Sequence, residues 1–151
     1  MMLAKGYLLA REAVTAAELQ AAQRLRWLAF RGKRGAGDDG AAVDADDCDA
    51  DCRHVLIEDR RSGQLLATIR FLHLQSGAEI DRSYSARHYD LARLRDYPGP
   101  MVELGRFCIH PEHSDPNILR LAWGAITRHV DDYGVRLLFG CSSFAGTDTQ
   151  G

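Results

Sequence analysis

The sequence predicts an α+β domain built on a mixed, mainly antiparallel sheet flanked by helices. Three observations carry this reading: a capping box just before Ala16, two strand-like runs (54–58 and 64–74) joined by a turn, and an amphipathic stretch opening at Pro116 between two further strand-like runs, 101–109 and 135–139. The expected order is helix, hairpin, short helix, strand, helix, strand. A chain of 151 residues suits a single domain, here taken as 1–151, which buries roughly 70% of its extended surface.

The first helix is expected from Ala16 because Thr15 and Glu18 stand at capping-box spacing. In that motif the cap hydroxyl accepts from the third amide, and the glutamate reaches back to the cap. Leu19, Ala22, Arg26 and Phe30 then share one stripe, so an arginine interrupts an apolar face. Glycines between 32 and 40 end the element. Residues 31–51 are glycine-rich, then acidic, and read as a long loop, a class that is usually functional or disordered.

Asp59, Ser62 and Gly63 make the turn of the hairpin, and Leu66, Thr68, Arg70, Leu72 and Leu74 share one strand face. Arg70 is thus a second charge among apolar residues. A short helical pattern over 84–95 stops before Pro98. The strand 101–109 contains Glu103 and Arg106. Asp115 and Pro116 cap the next helix, whose buried stripe is expected to be Ile118, Leu121, Ala122, Ala125, His129 and Tyr133. A final buried strand follows at 135–139.

Nineteen basic against 21 acidic residues give a net charge of −2, so the whole-chain field attracts neither nucleic acid nor an anionic membrane. The apolar runs 65–69 and 135–139 fall far short of the roughly 20 residues that span a bilayer. The first nine residues lack a signal-peptide core, and a cytoplasmic location is expected. Cys48, Cys52, Cys108 and Cys141 show no CxxC spacing, which suits reduced thiols.

Arg26, Arg70 and the pair Glu103 and Arg106 lie where apolar residues are expected. A buried charge costs several kcal/mol unless partnered; Asp46 and Asp49 are the candidate partners. One such pair reads as a structural ion pair, whereas three together point to a site.

The ordered set Leu25, Arg26 and Phe30; Asp46, Asp49, Cys52 and His54; Thr68, Ile69 and Arg70; Tyr84, Ser85 and Ala86; Glu103, Leu104, Gly105, Arg106, Ile109, His110 and Pro111; and Phe139 to Phe144 resembles the ornithine/acyl-carrier-protein N-acyltransferases of the GNAT superfamily. More remotely it resembles the acyl-homoserine lactone synthases and N-acyl amino acid synthases. The resemblance runs from residue 25 to 148. It implies a GNAT fold, an acyl carrier protein thioester as donor, an amine as acceptor and no metal. The 4'-phosphopantetheine thioester is itself the donor substrate, so no separate cofactor is expected. Arg26, Phe30, Asp46, Asp49, Arg70, Glu103 and Arg106 would form the working surface. The implied reaction places a long, 3-hydroxylated acyl chain on an amino acid such as ornithine, toward an amino-acid-containing lipid. The same resemblance leaves open an N-acyl amino acid or homoserine lactone signal synthase. A noncatalytic carrier-protein-binding fragment is the alternative from another class.

Thioester attack needs a neutral amine, yet an amino-acid amine is mostly ammonium near neutral pH. A carboxylate must therefore take a proton, and Glu103 is the candidate base, with Arg106 beside it. Amides of Phe107, Cys108 and Ile109 would polarise the thioester carbonyl if the strand is bulged there. Strict alternation would put Glu103 and Arg106 on opposite faces, so a bulge is required for both to serve one site.

Coenzyme A enzymes of this superfamily carry a glycine-containing turn that holds the pyrophosphate at a helix N-terminus. The stretch 111–117 has no glycine and contains Glu112 and Asp115, which favours the single phosphodiester of a carrier-protein arm. Arg31, Lys33 and Arg34 offer a basic patch to that acidic partner. The resemblance ends before the last helix and strands of the family fold, so an exposed sheet edge is expected, open to a homodimer. Peripheral membrane association is a further expectation.

Other motifs are set aside. Asp47, Asp49, Asp51 and Glu58 imitate a calcium loop, but Cys52 occupies the place of its turn glycine. Cys48, Cys52 and His54 lack a fourth zinc ligand at usual spacing. Cys141, Ser142 and Ser143 have no nucleophile elbow around them.

Overall fold

The computed structural model describes residues 2–30 and 43–140. Strands β1 (Met2–Lys5) and β2 (Leu8–Glu12) precede helix α1 (Ala16–Phe30). Strands β3 (Arg53–Asp59), β4 (Leu65–Leu74) and β5 (Met101–Ile109), helix α2 (Pro116–Tyr133) and strand β6 (Leu137–Phe139) follow. The sheet runs β1-β2-β3-β4-β5-β6. Its neighbours are antiparallel except β5 and β6, which are parallel because α2 carries the chain back across the sheet.

The local signals for α1 are met. Thr15 Oγ1 accepts from the Glu18 amide at 3.1 Å, and Glu18 Oε1 accepts from the Thr15 and Val14 amides at 3.1 and 2.7 Å. The Val14 amide first, and then the Arg11 guanidinium, hold the Glu18 carboxyl down at about 2. Asp115 caps α2 by accepting from the Asn117 amide at 2.9 Å, and Gly134 ends it at φ 61°.

Both sheet faces are covered. Val55, Ile57, Ala67, Ile69, Phe71 and Val102 form the main apolar core with Ile118, Leu121, Ala122, Ala125 and Ile126 of α2. The alternate residues of β4, among them Thr68, Arg70 and Leu72, are also buried and face the other way, where α1 packs on β4 and β5. That second face carries the charges.

Four expectations need correction. The β1–β2 hairpin was not foreseen, because its short strands show no alternation long enough to read; only Leu8 and Ala10 are buried. No α-helix forms over 84–95. The segment holds two short 3₁₀ turns, Ser85–Arg87 and Ala92–Leu94, and a third, Gly77–Arg82, precedes it. Ser76 Oγ accepts from the Ala78 amide, and Ser83 Oγ accepts from the Ala86 amide while donating to the Ile80 carbonyl. Such local bonds compete with the α-helical ladder. Tyr133 is 43% exposed, and Ile126 takes the expected buried place on α2. Finally, β6 is only three residues long and Leu138 is half-exposed, because β6 is the outermost strand and has a partner on one side only among the described residues. Cys48, Cys52 and Cys108 are free thiols, whereas the expectations for Arg31, Lys33, Arg34, Cys141, Ser142 and Ser143 lie outside the described residues. Among the described residues no helix is long and apolar enough to cross a membrane.

Candidate active site

Arg26 follows Ala22 by one helical turn on the buried face of α1, and its side chain is only 1% exposed. Such a cation is tolerable in the interior only if its donors are met. They are met by the acidic segment after residue 43. Arg26 Nη1 and Nη2 donate to Asp49 Oδ1 and Oδ2, each at 2.9 Å, Nε donates to Asp44 Oδ2 at 3.2 Å, and Nη2 also reaches the Asp44 carbonyl. Arg70 enters from β4. Its Nη1 donates to Asp46 Oδ1 at 2.7 Å and Asp49 Oδ1 at 2.8 Å, and its Nη2 to Asp46 Oδ2 at 3.1 Å. Arg106 completes the set from β5, donating from Nη2 to Asp46 Oδ2 at 3.2 Å, with Nε 3.7 Å from Asp44. Three arginines from three elements thus meet Asp44, Asp46 and Asp49.

The expected bulge makes this meeting geometrically available. Thr68 faces Cys108 and Arg70 faces Gly105, so two residues of β5, Arg106 and Phe107, stand opposite Ile69 alone. Arg106 takes φ 51°, a conformation that costs a non-glycine residue roughly 1 kcal/mol. The extra residue reverses the alternation, so Arg106 reaches the same face as Arg70, while Phe107 and Ile109 pack into the core beneath α2.

Electrostatics follow the pairing. Burial by itself would raise the Asp49 carboxyl, but the donors from Arg26, Gln23 and Arg70 outweigh it and hold the group well below the carboxylate range. Asp46 shows the same balance, with burial opposed and overcome by Arg70 and Arg106. Burial opposes the charge of Arg70, but Asp46 and Asp49 overcome it and raise its pKa. His54 Nε2 lies 3.0 Å from the Asp49 carbonyl, which can only accept, so the proton sits on Nε2. Burial lowers the pKa of His54, consistent with a neutral ring. Asp46, Asp47 and Cys48 hold ligand-type atoms within 4.8 Å of one another. Guanidinium groups already occupy the carboxylates, however: Arg70 and Arg106 bind Asp46, and Arg87 lies 2.9 Å from Asp47.

Glu103 lies on the same face, opposite Leu72 and two residues before Gly105. It is 6% exposed and does not enter the aspartate cluster. Its Oε1 accepts from the Tyr84 amide at 2.9 Å, and its Oε2 accepts from the Ser85 amide at 2.6 Å and from Ser85 Oγ. The Tyr84 ring turns back over the cluster, 5.1 Å from Arg106 Cζ and 5.6 Å from Arg70 Cζ.

Of the residues selected from the sequence, Arg26, Asp46, Asp49, Arg70 and Arg106 come together directly, and Glu103 joins them through Tyr84 and Ser85. Phe30 is the half-buried last residue of α1. Cys108 is buried, and burial pushes its thiol up to about 12, which removes it as a nucleophile at neutral pH. Asp44, Tyr84, Ser85 and Gln23 were not among the selected residues. Asp44 was hidden within an acidic run, but Tyr84 and Ser85 did belong to the motif series that pointed here.

Beside the bulge, the β5–β6 pairing is short among the described residues. β6 pairs with β5 only from Met101 to Glu103, after which β5 continues from Leu104 past the last paired residue, Phe139. Gly140 stands so close to this stretch that an added Cβ would lie 2.4 Å from the Leu104 carbonyl oxygen. At the far end of β5, the α2 N-terminus is already occupied by Asp115, which also accepts from the Tyr7 hydroxyl at 2.5 Å.

The chain is similar to L-ornithine N(alpha)-acyltransferase of Rhodobacter capsulatus, with 33% identity over 88% of this chain and 55% of that protein. The protein of the same name from Brucella abortus is 32% identical over 93% of this chain and 54% of its own length. The chain therefore spans about half the length of the curated relatives it matches. Among solved structures, the AHL synthase LasI superposes with a TM-score of 0.62 at 18% identity, covering 88% of this chain and 71% of that one. FeeM, an N-acyl amino acid synthase from uncultured soil microbes, superposes with a TM-score of 0.62 at 18% identity, over 95% of this chain and 75% of that one. These two likenesses concern the fold. The acetyltransferase (GNAT) domain model matches residues 25–124, a span that includes the last residues of α1, the acidic segment, the bulged strand and the first half of α2, and the chain belongs to that family.

Proposed function

We propose that this domain serves an N-acyltransferase that moves a long, 3-hydroxylated fatty acyl group from acyl carrier protein to the amine of a small amino acid such as ornithine, in the cytoplasm. The observation that carries the reading is the convergence of Arg26, Arg70 and Arg106 on one acidic segment beside the place where β5 leaves β6. Backbone groups of β5 beyond Leu104 have no β6 partner among the described residues, and an extended pantetheine arm fits such an edge by adding hydrogen bonds. The bulge at Arg106 and Phe107 aims backbone groups out of the regular ladder, which suits a developing thioester oxyanion. In the reaction the amine forms a C–N bond with the acyl carbon, the C–S bond breaks, the thiol leaves, and the ammonium form of the acceptor gives up one proton to solvent.

Two features favour a carrier-protein donor over free coenzyme A. The α2 N-terminus, where a pyrophosphate would be held, is capped by the chain's own Asp115. Glu112 adds a further negative charge near that position. The choice of ornithine draws on the named relatives, which match 88% and 93% of this chain.

Incubating the protein with acyl carrier protein thioesters and a panel of amino acids, with products weighed by mass spectrometry, tests the reading. The expected product is N-acyl ornithine, with thiol release that depends on the acceptor. Thiol release without acceptor preference would sink it. An acyl homoserine lactone, or carrier-protein binding with no turnover, would move the chain to the corresponding alternative.

A further inference from the structure

We propose that Glu103 is a positioning residue: its carboxylate holds the turn at Tyr84 and Ser85, and the ring of Tyr84 in turn fixes the guanidinium of Arg106 at the β5 bulge. A general base must aim a free lone pair at the proton it takes. Three of the roughly four acceptor positions of the Glu103 carboxylate are instead taken by the turn, which supplies two successive backbone amides and one hydroxyl. The carboxylate is buried on a central strand and caps the 3₁₀ turn Ser85–Arg87 from 18 residues away in sequence.

The effect of that cap reaches the ion cluster through the Tyr84 ring. Arg26 and Arg70 each hold a two-nitrogen grip on a carboxylate and are almost fully buried, with side chains 1% and 4% exposed. Arg106 is 27% exposed, has one hydrogen bond to Asp46, leaves Nε without a hydrogen-bond partner, and sits at the strained bulge. The face of Tyr84, 5.1 Å from its Cζ, is therefore a major restraint on where this guanidinium points. On the other flank, Arg87 of the same turn lies 2.9 Å from Asp47, so the turn also closes over the acidic segment. Of the three arginines, Arg106 is the one placed to meet a substrate, and its position depends on the Glu103 tether.

The kinetic part of the test rests on the acyltransferase reading, while the exchange part does not. In Glu103→Gln one carboxylate oxygen becomes an NH2 group, which cannot accept from a backbone amide, so the turn loses an acceptor and the Tyr84 and Ser85 amides should exchange with deuterated water faster than in the wild type. Ser85→Ala removes one donor, and Tyr84→Leu removes the ring while keeping apolar volume; both keep the variant set informative if Glu103→Gln folds poorly. All three should lower kcat/KM roughly tenfold to a hundredfold, the scale of a small misplacement of reacting groups. The acid limb of the pH–rate profile should survive in Glu103→Gln, and Glu103→Gln combined with Ser85→Ala should be no worse than Glu103→Gln alone. Loss of the acid limb in Glu103→Gln, with wild-type turnover in Ser85→Ala and Tyr84→Leu, would overturn the proposal. So would unchanged exchange of the two amides. If the wild type transfers no acyl group, the functional reading falls, and exchange alone decides the tether: faster exchange in Glu103→Gln upholds it and unchanged exchange removes it.

Discussion

Asp49 concentrates the energetics of the cluster in one side chain. Its two oxygens accept from both terminal nitrogens of Arg26, from Arg70, from Gln23 and from the Asp46 amide. Because its folded pKa lies below the unfolded value of about 4, the stability it contributes is complete above that value and is lost as pH falls through the folded one. Replacing Asp49 with Asn leaves two buried guanidinium groups short of a countercharge and should cost about 3–5 kcal/mol, read from urea unfolding. Asp47→Asn, at an exposed ion pair with Arg87, should leave the midpoint where it is; equal losses in the two variants would refute the special status of Asp49. The three arginines were legible from the sequence because each breaks an apolar pattern. Asp44 was not, since Asp44, Asp46, Asp47, Asp49 and Asp51 form one acidic run whose inward-facing members no local period marks.

At the scale of elements, close backbone approaches fix the geometry around the site. Gly77 opens the 3₁₀ segment after β4, and its amide donates to the Tyr97 carbonyl at 2.9 Å. A Cβ there would lie 1.7 Å from the Leu94 carbonyl oxygen, which is backbone and cannot rotate away. Gly77→Ala should therefore destabilise the protein by about 2 kcal/mol or more. Gly124, within α2, has as its nearest obstacle Leu3 Cδ1 at 3.6 Å, an ordinary contact. There the same substitution should stabilise by up to about 1 kcal/mol, because alanine is the better helix former. Thermal unfolding of the two variants should give shifts of opposite sign; a shared sign would contradict this account. The helices and long strands were readable because capping and period act within a few residues. The segment 84–95 shows a short helical pattern, yet local bonds such as that from the Ala86 amide to Ser83 Oγ break it into 3₁₀ turns, which no side-chain period marks.

For the molecule as a whole, α2 is sealed to the sheet at a histidine pair. His129 is buried, stacks on Phe71 at 4.1 Å between ring centroids, and places Nδ1 3.3 Å from His73 Nε2. Burial pushes both rings down to about 4. Both are thus neutral at pH 7. Between about pH 6.5 and 4 the unfolded chain binds more protons than the folded one, so stability falls as pH drops through this window. A shift of this size corresponds to on the order of 3 kcal/mol for His129. His129→Phe should weaken the loss of melting temperature between pH 7 and pH 5, and an unchanged pH slope would show that the histidine seam does not control it. The sequence by itself determined the α+β class, the starts of both helices, the hairpin of β3 and β4, and the presence of charges that could not be ordinary core. Only the tertiary structure decided that Arg106 meets Asp46 across 60 residues, that Glu103 grips the Tyr84 turn, and that an N-terminal hairpin completes the sheet. Caps and periodicity are short-range forces written in neighbouring residues, whereas the partner of a buried charge is set by strand register, and one extra residue at the β5 bulge changes which face it sees.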